Sequence, residues 1–113
     1  MAVHFSTPDP RHLLEALKGR ITDGKIKTWE VDDEGDFTHT AYRWAKRAWF
    51  VPSIRDNCLT FNIMNPTNTN ISTALYAIYH CRLIESALLH CDALFWDATA
   101  SALPERDDSV GPE

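Results

Sequence analysis

Glycine is scarce in this 113-residue chain, with only four copies, and each lies in a predicted turn or near the end. A phosphate-binding loop needs closely spaced glycines before a helix, so the chain carries no such loop. It also lacks GxSxG and HExxH, and no Cys and His residues have the spacing of a zinc site. The sequence therefore predicts neither a metal nor a cofactor, and no motif identifies a catalytic residue.

Cysteines and long apolar runs are scarce as well. The three cysteines include no CxxC, and Cys81 and Cys91 would lie about 15 Å apart along one helix, too far for a disulfide. We expect all three to be reduced core residues. No apolar run approaches the roughly 20 residues of a membrane span, and the N-terminus lacks the features of a signal peptide. These absences predict a cytoplasmic protein with no membrane partner.

Positive charge is scarce in the second half of the chain. Residues 61–113 hold two Lys or Arg against seven Asp or Glu, and the net charge of the whole chain is −5. An acidic chain is not typical of general nucleic-acid binders. The exception is residues 37–55, which contain Arg43, Lys46, Arg47 and Arg55 and no acid.

A long helix is predicted over residues 70–98, within the longest run that lacks Gly and Pro. At about 100° per residue, one apolar stripe forms, and we expect it to face the core: Ala74, Ile78, Cys81, Ile84, Leu88, Cys91, Phe95. A second apolar line lies on roughly the opposite side, and it either packs against another part of the same domain or forms a dimer or partner surface: Tyr76, Leu83, Ala87, Leu94. Thr69 or Asn70 is the expected N-cap.

The remaining pattern predicts a two-layer α+β domain over residues 1–103, with element order α-β-β-β-(β)-α. A short N-terminal helix over 8–19 and the long helix cover one face of a three- or four-stranded sheet within residues 25–64. The turns in that range are too short for crossover helices, so the sheet should be antiparallel. Residues 104–113 are predicted to be an acidic, disordered tail.

The segment YRWAKRAWF, residues 42–50, interleaves aromatic residues with cations. Platforms for single-stranded nucleic acid use this mixture, and an acidic peptide or protein would suit it equally well. A strand with its aromatics in the core and its cations in water produces the same pattern without any binding role.

The leading interpretation is a non-catalytic binding or interaction module that acts as a homodimer. One sheet face and the second apolar line would otherwise stay uncovered. A nucleic-acid-binding module using residues 42–50 is the second interpretation, and a small enzyme with a cleft between the sheet and the long helix is the third. A protein or peptide partner is also compatible with the pattern. The predicted partner-binding residues are Tyr42, Arg43, Trp44, Lys46, Arg47, Trp49, Tyr76, Leu83 and Leu94.

Overall fold

A six-stranded antiparallel sheet forms one layer of the molecule and two helices form the other. The computed structural model describes residues 1–66 and 70–110. Its strands are β1 (Ala2–Ser6), β2 (Trp29–Val31), β3 (Phe37–His39), β4 (Trp49–Arg55), β5 (Cys58–Met64) and β6 (Asp97–Ala100). The helices are α1 (Pro10–Thr22) and α2 (Thr73–Cys91), and a 3-10 turn, Asp92–Leu94, follows α2. The predicted α+β class and antiparallel sheet are confirmed, with six strands instead of three or four.

Two strands that the sequence did not predict lie at the ends of the chain. The spatial order is β2-β3-β4-β5-β1-β6, so the N-terminal strand lies between β5 and the last strand. Val3 is the partner of both Phe61 and Ala100 across these two pairings. The long helix was predicted to reach residue 98, and this end is wrong, because α2 ends at Cys91 and β6 begins at Asp97. The DATA sequence of β6 has little strand preference of its own, so pairing with β1 determines its conformation.

Caps mark the start of both helices. The Asp9 side chain accepts a hydrogen bond from the His12 N–H at 3.0 Å, and Pro10 begins α1. Ser72 caps α2 by accepting from the Leu75 N–H at 3.1 Å. One of the two predicted caps, Thr69, lies outside the described residues. Among the residues that are described, no helix is long and apolar enough to cross a membrane.

Aromatic rings fill the space between the sheet and the helices. The Phe61 ring meets the rings of Phe5 and Phe37 edge-on, at centroid distances of 5.9 and 5.2 Å. Trp29 contacts Tyr79 of α2 in the same way at 5.5 Å, and the Tyr79 hydroxyl donates to the Trp44 carbonyl. The enzyme interpretation placed a cleft here, but packed side chains occupy this space.

The side of the long helix that faces the core is opposite to the side that we expected. Its buried apolar residues include Leu75, Tyr79, Leu83 and Ala87. Of the predicted core stripe only Cys91 is buried, whereas Cys81 and Leu88 are exposed. Periodicity alone could not choose between two apolar sides of one helix. The large Tyr79 ring is buried on the side that faces the sheet, and its hydroxyl forms a hydrogen bond there with the Trp44 carbonyl.

Residues 101–110, here called the C-terminal segment, contact the second face of the sheet, opposite the helices, through residues 105–107. The segment then reaches the start of α2, where the Val110 carbonyl accepts from the Ile71 N–H. The Asp108 carboxylate accepts hydrogen bonds from Asn62 Nδ2 at 2.9 Å, the Ile63 N–H at 3.2 Å and the Glu105 N–H at 2.7 Å. Ser109 also forms a parallel bridge with Met64. The predicted disorder from residue 104 therefore does not describe residues 104–110, because β5 supplies partners for this polar segment. Residues 111–113 lie outside the described residues.

Candidate functional site

A polar cavity of about 550 Å³ opens on the second face of the sheet, beside the C-terminal segment. Strand alternation explains its lining, because every second residue of β1 and β5 points away from the helices. Val3, Phe5, Leu59 and Phe61 thus enter the core. The alternate residues of β1 and β5 face the cavity, and one residue of β4 and three of the C-terminal segment complete its lining: His4, Arg55, Cys58, Thr60, Asn62, Glu105, Arg106, Asp107.

His4 connects the sheet to the C-terminal segment. Its Nδ1 atom is 3.0 Å from Thr60 Oγ1, and its Nε2 atom is 3.0 Å from each carboxylate oxygen of Glu105. A carboxylate can only accept, so the neutral ring carries its proton on Nε2 and accepts at Nδ1 from the Thr60 hydroxyl. The bond from His4 also lowers the pKa of Glu105 below its usual value, with a smaller contribution from Ser101.

The Thr60 hydroxyl is shared with a cysteine. Cys58 Sγ lies 3.4 Å from Thr60 Oγ1 on the same strand face. Across the β4–β5 pairing, Cys58 faces Arg55, whose guanidinium forms an exposed ion pair with Asp107 at 3.3 Å. The cavity therefore holds a thiol, a hydroxyl, an imidazole and a carboxylate in contact, with a guanidinium nearby.

The cysteines occupy three different environments. Cys91 is buried and burial raises its pKa, Cys58 is half-buried in the cavity lining, and Cys81 is exposed on α2. The expectation that all three are core residues is thus correct only for Cys91. The sequence placed Cys58 correctly on a strand, but periodicity did not show that its face of β5 opens into a cavity.

Most of the predicted binding segment, residues 42–50, forms a turn, and its last two residues begin β4. Residues 41–47 contain no regular strand, and Lys46 adopts a left-handed conformation with φ of 57°. Tyr42 is fully exposed, and Arg43, Lys46 and Arg47 are exposed beside it. Trp44, 5.5 Å from the Arg43 guanidinium, is half-buried. One tyrosine and three cations therefore share a single exposed turn.

The structure separates the other predicted partner-binding residues from this turn. Leu83 is 1% exposed and belongs to the core, so its placement on a partner surface is wrong. Tyr76 and Leu94 are half-buried and pack against the same core, and Trp49 is half-buried at the start of β4. These residues do not form the continuous surface line that helical spacing predicted, because that side of α2 faces the sheet.

Exposed apolar side chains, together with the half-buried Ile78 and Ile84, lie instead on the other side of α2, here called the outer face: Ala74, Ala77, Ile78, Cys81, Ile84, Leu88, Leu89. Leu88 and Leu89 are 53% and 72% exposed. With Cys81, Ile84 and Glu85 they line a shallow groove of about 500 Å³. Arg82 and Glu85 form an ion pair with each other at 3.1 Å beside this groove.

Two histidines are buried, and in each ring one nitrogen has no hydrogen-bond partner among the described residues. His39 Nδ1 accepts from the Ala41 N–H at 3.0 Å, and His80 Nδ1 donates to the Tyr76 carbonyl. Neither Nε2 atom has a hydrogen-bond partner among the described residues. Burial, the largest cause in both cases, lowers the pKa of each ring below the ordinary value.

We expect the protein to lose stability in mild acid. The unfolded chain binds protons at the ordinary histidine pKa of about 6.5, whereas the folded chain keeps both rings neutral. Stability is therefore complete above that pH and is lost as the pH falls from it through the lowered pKa values of the folded state. Urea unfolding at about pH 7.5 and about pH 5.5 measures this loss. His80→Phe, which cannot titrate, should show a smaller loss, and a wild-type midpoint that does not change with pH would contradict the assignment.

Neither metal geometry nor similarity assigns a role to this chain. Within residues 1–66 and 70–110, no group of three or more His, Cys, Asp or Glu side chains could hold a metal ion. No protein-family model matches the chain, and no curated protein or solved structure is significantly similar to it.

Proposed function

We propose that this protein is an interaction module that acts as a homodimer, paired through the outer face of α2. The observation that carries the proposal is the exposure of Leu88 and Leu89, at 53% and 72%, next to Cys81 and Ile84. Removing one large apolar side chain from water is worth about 1.5–3 kcal/mol. A contiguous apolar helix face of this kind is a common mark of a protein–protein contact.

The charges on the outer face suit a second copy of the same chain. Between residues 74 and 88 the only charged side chains are Arg82 and Glu85, which have opposite signs and lie three residues apart. Two antiparallel copies of α2, related by a two-fold axis near Ile84, bring Arg82 of each copy toward Glu85 of the other. A two-fold contact requires this self-complementarity, and it is the commonest closed arrangement. The small Ala74 and Ala77 let the helices approach closely.

The exposed turn at residues 41–47 supports a second candidate, binding of single-stranded nucleic acid or an acidic peptide. Its specific observation is the fully exposed Tyr42 ring beside Arg43, Lys46 and Arg47. The support is weaker than for the dimer because the four residues occupy one turn and the net charge is −5. Oligonucleotide binding that weakens steeply with salt would favour this candidate.

We expect Leu88→Glu to convert the dimer into a folded monomer. A two-fold interface contains the change twice, so two leucines are lost and two carboxylates are buried in an apolar contact. At about 1.5–3 kcal/mol for each leucine, the dissociation constant should rise at least about a hundredfold. Sedimentation velocity over a concentration series measures the change, and circular dichroism shows that the variant is folded.

Leu103→Glu is the matched control. Leu103 is 76% exposed on the C-terminal segment, away from α2, so the same substitution there should leave the dimer intact. A wild-type protein that sediments as a monomer at high concentration would refute the proposal. If both variants dissociate the dimer equally, the dimer contact does not lie on the outer face.

A further inference from the structure

Four side chains of the second-face cavity are joined in a series that resembles a nucleophile, a base and an orienting carboxylate. Cys58 Sγ lies 3.4 Å from Thr60 Oγ1, and Thr60 Oγ1 lies 3.0 Å from His4 Nδ1. His4 Nε2 donates to Glu105, which fixes the tautomer that leaves Nδ1 free to accept a proton. Nucleophilic catalysis needs a base that can take the proton of the nucleophile and a third group that orients the base, and here the Thr60 hydroxyl links Cys58 to His4.

The contacts from Cys58 through Thr60 and His4 to Glu105 are not needed to hold the C-terminal segment in place. The buried Asp108 carboxylate already holds this segment to β5 through two hydrogen bonds, from Asn62 and Ile63, and accepts a third from Glu105 within the segment. Ser53, the partner of Thr60 across β4 and β5, also has a buried hydroxyl oxygen without a hydrogen-bond partner among the described residues. Unsatisfied buried polar groups are uncommon in folded proteins and call for an explanation, of which a functional role is one.

We infer that this cavity is a catalytic site for acyl transfer, with Cys58 as the nucleophile. As the sulfur attacks a carbonyl carbon, its proton moves to Thr60 Oγ1 while the Thr60 proton moves to His4 Nδ1, and Glu105 stabilises the resulting imidazolium. A C–S bond forms, the C–O or C–S bond to the leaving group breaks, and His4 returns the proton to that group. Water then hydrolyses the acyl-cysteine, releasing the acid and restoring the thiol.

The charges of the lining indicate the substrate class. Glu105 is bonded to His4 and Asp107 is paired with Arg55, whereas Arg106 has no ion pair among the described residues. With His4 neutral, the two arginines and two carboxylates of the lining sum to zero. Arg106 is the lining cation that stays available to a substrate, and Arg55 lies directly across from Cys58. A cavity of about 550 Å³ matches a small molecule. The fitting substrate is a small ester or thioester that carries a carboxylate or phosphate.

Alkylation by iodoacetamide tests the thiol without knowledge of the substrate. The sulfur displaces iodide, forming a C–S bond, and the thiol proton passes to His4. We expect Cys58 in the native protein to react faster than Cys58 in the urea-denatured chain, although it is half-buried when folded. Thr60→Val keeps the shape but removes the hydroxyl and should slow native alkylation about a hundredfold, a typical effect of general-base catalysis. Thr60→Ser restores the hydroxyl and should restore the rate.

His4→Gln distinguishes catalysis from a purely structural role by the sign of the change. If His4 only holds the C-terminal segment in place, losing it exposes Cys58 and speeds alkylation. If His4 takes the proton, alkylation slows. Peptide mass spectrometry separates Cys58 from Cys81 and Cys91 in each measurement. Native Cys58 reacting more slowly than in the denatured chain, or equal rates for Thr60→Val and Thr60→Ser, would overturn the inference.

A nitrophenyl ester with a free carboxylate tests the acyl-transfer step and the substrate class. We expect release of nitrophenolate and an acyl adduct on Cys58, both absent in Cys58→Ser, with a slower reaction for the uncharged nitrophenyl acetate. No adduct on Cys58 with either ester rejects acyl transfer, and equal rates for the two esters reject the anionic class. Glu30→Gln should retain the activity, because Glu30 is exposed on β2, three positions away from β5 in the strand order.

Discussion

Leu83→Glu should abolish folding. Leu83 is 1% exposed and packs in the core beneath α2, so the substitution removes a buried leucine and buries a carboxylate without a partner. Core leucine truncation alone costs about 2–5 kcal/mol, and an unpaired buried charge adds several more. The sum is comparable with the whole stability of a small domain, about 5–15 kcal/mol. Circular dichroism and thermal melting of the purified variant measure the loss.

Leu88→Glu is the matched variant for this measurement as well. Leu88 lies five residues further along the same helix but is 53% exposed, so the same change there should leave the fold intact. The pair tests which side of α2 faces the sheet, independently of any partner. A folded Leu83→Glu protein would mean that the line Tyr76, Leu83, Ala87 and Leu94 lies on the surface, as the helical spacing first predicted.

Asp108→Ala should release the C-terminal segment and destabilise the fold. The Asp108 side chain is fully buried and accepts from Asn62 Nδ2 and from the N–H groups of Ile63 and Glu105. Removing the carboxylate leaves these donors without their partner, and each buried donor left unsatisfied costs about 1–3 kcal/mol. We expect a lower urea midpoint and protease cleavage within residues 101–110.

Asp107→Ala is the control for this prediction, since it changes the neighbouring carboxylate. The Asp107–Arg55 ion pair is exposed, with side-chain exposures of 56% and 64%, and exposed pairs contribute about 0–1 kcal/mol. The midpoint should therefore change little. Equal effects of the two substitutions, or a segment in Asp108→Ala that stays resistant to protease, would show that other contacts hold residues 101–110.

The sequence predicted those elements whose signals are local. Cys58–Met64 alternates over seven residues, and Leu13, Leu14 and Leu17 mark one helix face, so local periodicity is sufficient to indicate β5 and α1. The absence of crossover helices between residues 25 and 64 was enough to predict an antiparallel sheet. In contrast, β1 has only five residues and β6 only four, too few for a periodic pattern to distinguish them from loop or helix.

The candidate sites depended on contacts that no local pattern records. His4 and Glu105 are 101 positions apart, and His4 and Thr60 are 56 apart, so only the placement of β1 beside β5 brings them together. A weak signal was present, because Cys58, Thr60 and Asn62 alternate with the apolar residues of β5 and mark a polar strand face. That signal could locate the face but not the C-terminal segment that contacts it.

The amino-acid sequence by itself determined the α+β class, the antiparallel sheet, and the presence of one long helix with two apolar sides. Backbone hydrogen bonding and side-chain periodicity act over a few residues, and they are sufficient for these features. Only the tertiary structure decided which side of α2 faces the core, since both sides are apolar and the choice depends on how the Tyr79 ring packs against Trp29 and Phe50. It also decided the order of the strands and the conformation of residues 101–110, because a short or polar segment becomes ordered only where distant residues supply its hydrogen-bond partners.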